Sequence, residues 1–139
     1  MLHLGRHPIR TMPSAQTTVL SFSNDPEQLR KRETAIRSIG FDVIQVSSET
    51  AARFEIEMGR CGVLLICFTI PRAVSAELAS LFRRSCPGGL IIVVAKDRHQ
   101  IALSDADAIV PASDDTNAIV RTLQRHREEK TTSSNSKVA

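Results

Sequence analysis

A chain of 139 residues has room for one domain, because domains most often run to about 100–150 residues. Its 42% hydrophobic and 24% charged residues form a globular balance, which excludes a wholly disordered, collagen-like or coiled-coil chain. The aromatic residues are five Phe with no Trp or Tyr, and 18 Lys and Arg against 15 Asp and Glu leave a formal charge of +3. Base-stacking surfaces are therefore scarce, and the charge excess falls well short of a dedicated polyanion binder.

The ends differ from the middle. Residues 1–16 mix His, Arg and Pro and are expected to form a flexible N-terminal arm, and residues 128–139 a polar disordered tail. Between them, 17–127 alternates short apolar runs with amphipathic segments, the pattern of repeated βα units. Thr18-Val19-Leu20-Ser21-Phe22 reads as the first strand, stopped by Ser23-Asn24-Asp25-Pro26, where Asn or Asp can cap a helix and Pro suits its first turn. Leu29, Ile36 and Ile39 recur at helical spacing, with Arg30, Lys31, Arg32, Glu33 and Arg37 on the other face and Gly40 as the stop. Phe41 to Val46 is the second strand, and Ser47-Ser48-Glu49 the next capping cluster. Phe54, Ile56 and Met58 alternate like a strand, yet Ala51, Ala52 and the Glu-rich content favour a helix there.

Gly62 to Phe68 is apolar at every position, as a central strand covered on both faces must be. Val74, Leu78, Leu81 and Phe82 mark a helix stopped by Cys86-Pro87-Gly88-Gly89, before the fully apolar strand Leu90 to Val94. A short fourth helix is expected over His99 to Leu103, a fifth strand at Ala108-Ile109-Val110, and a last helix from Asp115 with Ile119 and Leu123 inward. The expected core includes Leu20, Val43, Leu64, Leu65, Ile92, Val93 and Ile109.

These units and several landmark residues resemble the receiver domain of two-component response regulators across Thr17 to Arg127. Val19 to Pro26 is similar to the family's first strand with its acidic cluster, and Gly40-Phe41-Asp42-Val43 to its Gly-aromatic-x-Val entry to strand two. Gly62 to Pro71 is similar to the strand that carries the phosphoacceptor Asp and ends in Met-Pro, and Ala106 to Ser113 to the Gly-Ala-Asp-x-Tyr-Leu-x-Lys-Pro run. The resemblance implies an α/β fold: a doubly wound, five-stranded parallel sheet in the flavodoxin-like order 2-1-3-4-5, with helices on both faces. It also places Cys67 at the phosphoacceptor position, Ser23 and Asn24 at the acidic pair with Asp25 beside them, Ala95 at the usual Ser or Thr, and Ala112 at the usual Lys. Phosphoryl transfer to a carboxylate needs an Asp nucleophile, carboxylates for Mg²⁺, and a hydroxyl and a cation around the phosphate. A degenerate receiver, or pseudo-receiver, is therefore implied, with no catalytic residue, metal or cofactor.

Single residues have competing readings. Cys67 at the carboxyl end of a central strand could be a thiolate sensor or nucleophile, or simply a small buried hydrophobe with no His nearby to activate it. Asp25 with Asn24 could hold a cation weakly, but helix capping is the simpler role. His3 and His7 stand four apart, yet Pro8 argues against a helix that would join them. Pro87-Gly88-Gly89 lacks the Lys-Ser/Thr of a phosphate loop and reads as a turn. Cys61, Cys67 and Cys86 form no CxxC pair, which suits reduced thiols and a cytoplasmic location, and neither a spanning segment nor a signal peptide is legible.

The reading that follows is a stand-alone, non-enzymatic, phosphorylation-independent protein-interaction module of bacterial signal transduction. It would engage a signalling protein or a second copy of itself, and no membrane. The resemblance implies an interaction face joining Arg98, His99 and Gln100 of the short helix to Asn117, Arg121 and Arg125 of the last. Two alternatives stand beside it. One is a small-molecule or nucleotide-binding domain using the carboxyl edge of the sheet, although Ser23-Asn24-Asp25-Pro26 has no glycine. The other is a nucleic-acid binder whose basic face combines Arg30, Lys31, Arg32 and Arg37 with Arg121, Arg125, Arg127 and Lys130.

Overall fold

The apolar runs fold as strands and the capped amphipathic segments as helices. The structure, a computed structural model, describes residues 15–96 and 106–138. Strands β1 (Thr18–Phe22), β2 (Asp42–Val46), β3 (Val63–Ile66), β4 (Leu90–Ala95) and β5 (Ala108–Pro111) form one parallel sheet in the order β2-β1-β3-β4-β5, as expected. Helices α1 (Pro26–Ser38), α2 (Glu49–Met58), α3 (Arg72–Ser85) and α4 (Asp115–Val138) complete the described part. Asp25 caps α1 by accepting from Glu27 N at 3.0 Å, with Pro26 in the first turn, and Ser48 caps α2 by accepting from Ala51 N at 3.1 Å. Gly59 closes α2 at φ 70°, a left-handed position that favours glycine.

Alternation along β3 builds two cores. Leu64 and Ile66 face α2 and α3 and join Leu20, Phe22, Ile56, Leu78, Phe82 and Ile91. Val63 and Leu65 face α1 and α4 and join Val19, Ile36, Ile92, Val110, Ile119 and Leu123. Five of the seven expected core residues are buried, whereas Val93 is half-buried and Ile109 is 40% exposed. Ile109 lies on the edge strand, and the two-residue period gives the inward place to its neighbour Val110.

Two further expectations change. α4 continues to Val138, so the stretch from residue 128 expected as a disordered tail is helical. Glu128, Glu129 and Lys130 are good helix formers without Gly or Pro to stop them, and Arg127 Nη1 donates to Ile39 O at 2.7 Å while Lys130 Nζ donates to Gly88 O at 3.0 Å. Arg32, expected on the solvent face of α1, is 1% exposed. The N-terminal arm before residue 15, with His3 and His7, and the short helix at His99 to Leu103 lie outside the described residues. Among the described residues no helix is long and apolar enough to cross a membrane.

Candidate functional site

A parallel sheet brings the carboxyl ends of its strands to one edge, and four of the expected site positions meet there. Ser23 follows β1, Cys67 follows β3, Ala95 ends β4 and Ala112 follows β5. Cys67 N donates to Phe22 O at 3.0 Å and Ser23 N to Val46 O at 3.2 Å, so both continue the sheet's ladder and both are buried. Asn24 is exposed, and Asp25 beside it is engaged in capping α1. No group of three or more His, Cys, Asp or Glu able to hold a metal exists among the described residues.

The charge at this edge comes from residues not expected there. Arg32 points inward from α1, donating from Nε at 3.0 Å and from Nη2 at 2.6 Å to Asp115 Oδ2 at the start of α4. Its Nη1 is buried without an ordinary hydrogen-bond partner, as is Thr69 Oγ1 in the turn after β3. Burial pushes the Cys67 thiol up, but hydrogen bonding from Ser23, Thr69 and Arg32 outweighs it and holds the thiol below its ordinary 9.0. The signal for Arg32 was its spacing, since Leu29, Arg32 and Ile36 lie three and four apart on the buried stripe of α1. Nothing in sequence pointed to Asp115 or Thr69 as its neighbours.

The surface residues separate into those held and those displayed. Asn117, Arg121 and Arg125 form an exposed line along α4, with Asn117 Nδ2 donating to Asp114 Oδ1 at 3.0 Å. Arg98, His99 and Gln100 lie outside the described residues. Of the suggested basic face, Arg30 and Lys31 are exposed on α1, but Arg37 pairs with Glu33 at 2.8 Å and Asp42 at 3.3 Å. Arg127 lies 5.0 Å over the Phe41 ring besides holding Ile39 O. A cavity of about 440 Å³ opens at the amino edge of the sheet, lined by Phe41, Gly62, Cys86, Gly89, His126 and Lys130 among others. That is opposite to the edge where the small-molecule alternative places its ligand.

Solved structures share this architecture. A CheY-like response regulator receiver domain from Methanospirillum hungatei JF-1 gives a TM-score of 0.66 at 19% identity, covering 81% of this chain and 98% of its own. One from Methylobacillus flagellatus gives 0.68 at 15% identity, covering 79% and 98%. A pilus assembly-related protein from Burkholderia pseudomallei K96243 gives 0.65 at 15% identity, covering 83% and 92%. The chain has the receiver fold. No protein-family model and no curated protein sequence matches it.

Proposed function

We propose that this chain is a pseudo-receiver, a phosphorylation-independent protein-interaction module of signal transduction without enzymatic activity of its own. The observation that carries the reading is the buried Arg32–Asp115 pair next to Cys67. A guanidinium tied to a carboxylate occupies the edge where receiver chemistry would need several carboxylates and a metal. Acetyl phosphate with Mg²⁺ is expected to leave the intact mass unchanged, and beryllofluoride with Mg²⁺ to give no binding heat in calorimetry. A phosphoryl adduct removed by hydroxylamine would overturn the reading.

A domain without its switch acts through its surface, and binding is then constitutive. The exposed line of Asn117, Arg121 and Arg125 supplies the described part of the proposed face. Charged rim residues mainly set encounter rate and register, so Arg121→Glu with Arg125→Glu is expected to weaken partner capture or self-association while shifting stability by no more than about 0.5 kcal/mol. Measurement at two salt concentrations separates the alternatives. Loss confined to DNA, and steep in salt, would instead favour nucleic acid.

A further inference from the structure

Donors outnumber acceptors around Cys67. Arg32 is 1% exposed and Asp115 takes two of its nitrogens, yet buried Nη1 and Thr69 Oγ1 have no oxygen or nitrogen partner, and the Cys67 sulfur is what these side chains bond. Sulfur is a weak acceptor and buried polar groups in native proteins are nearly always well paired, so two buried donors left to one thiol have room for an oxygen that the resting chain does not carry. Ser23, Thr69 and Arg32 also favour the thiolate, the nucleophilic form of the side chain, against the burial that opposes it.

We propose that Cys67 is a site of reversible oxidation by a hydroperoxide, with Arg32 Nη1 and Thr69 Oγ1 receiving the oxygen it gains. The thiolate sulfur attacks one oxygen of hydrogen peroxide, a sulfur–oxygen bond forms and the oxygen–oxygen bond breaks. Sulfur loses two electrons, peroxide gains them, and the departing hydroxide takes a proton from solvent to leave as water. The product is a sulfenic acid, which an external thiol can reduce. Cys67 is 1% exposed, so the oxidant must be small.

No thiol of the described residues can close a disulfide with it. Cys61 lies at the other end of β3, roughly 20 Å away at about 3.3 Å per extended residue, far beyond the ~7 Å limit between Cα atoms of a bridge. Cys86 precedes β4 and is electrostatically coupled to Cys61, at that same far end. The new oxygen takes the guanidinium nitrogen that Asp115 leaves unused, so the Arg32–Asp115 pair stays in place. The oxidation stands apart from the interaction reading.

The test treats the reduced full-length chain with hydrogen peroxide and maps peptides by mass. Cys67 is expected to gain one oxygen, lost again on thiol reduction, at least about tenfold faster than Cys61, as one pKa unit of thiolate advantage would give. A bulky aromatic disulfide reagent should react with native Cys67 more slowly than peroxide does. Thr69→Val, near-isosteric, and Arg32→Lys, which keeps a cation, should each shift the pH profile of Cys67 alkylation by iodoacetamide upward. Equal oxidation of Cys61 and Cys67, or an unmoved pH profile in Thr69→Val, would overturn the site. If Cys67 resists peroxide while the reduced chain still captures its partner, this proposal fails alone. If Cys67 oxidises and neither form binds a partner or itself, the interaction reading fails and the thiol site stands.

Discussion

Cys61 and Cys67 flank the same strand, are buried to 3% and 1% exposure, and titrate in opposite directions. At the amino end, burial pushes the Cys61 thiol up to about 12, with Cys86 and Glu55 adding to the shift. At the carboxyl end burial acts the same way, but Ser23, Thr69 and Arg32 reverse it. Depth alone therefore does not set the chemistry of a thiol. The donors aimed at it do, and on this chain they are gathered at one edge of the sheet.

The largest test of that difference removes the counter-charge at the carboxyl end. Asp115→Ala leaves the Arg32 cation buried and unpaired and is expected to cost about 3–5 kcal/mol in urea denaturation. Arg32→Met with Asp115→Leu should recover much of it, since an apolar pair carries no desolvation penalty. In the strand between the two ends, Leu65→Ala should cost about 2–5 kcal/mol. A loss of a few tenths would show that β3 is not the packed centre the two ends share. At the amino end, a Cβ on Gly62 would meet Ala15 O at 2.7 Å, a backbone atom that cannot swing aside. Gly62→Ala should then cost about 1–3 kcal/mol by the same assay.

The gentlest test is pH. Cys61 has a raised folded pKa, so its contribution to stability is complete below the ordinary 9.0 and is lost as pH rises toward about 12. The slope over that window is about 1.4 kcal/mol per pH unit. Cys61→Ala should flatten the alkaline limb. Cys67 has a lowered folded pKa, so its contribution is present above 9.0 and lost as pH falls through the lowered value. Cys67→Ala should therefore flatten the limb below 9.0 and leave the alkaline one in place. Matching profiles for the two variants would erase the distinction between the ends.

Most of the fold was legible because its strands announce themselves. Val63 to Ile66 and Leu90 to Ala95 are apolar on both faces, which only a sheet covered on both sides explains, and Asp25 and Ser48 stand where helix caps are needed. Order followed from the family resemblance more than from any residue. Ile109 was misplaced because a short edge strand carries too few residues to fix its phase, and Val110 fits the inward place equally well in sequence. The site was half legible. The positions of Ser23, Cys67, Ala95 and Ala112 are readable from landmarks, but the charge of Arg32 argues for solvent while its spacing puts it with Leu29 and Ile36. Its partner lies 83 residues away, and no local pattern reports a contact made only in three dimensions.

That distance along the chain has a consequence for how the protein comes into being. In a nascent chain that has emerged only through β5, Arg32 has no opposing charge, because Asp115 is still to come, and the core that α4 covers is still open to water. The guanidinium can then stay hydrated, and its full burial falls to the step in which α4 docks and brings Asp115 with it.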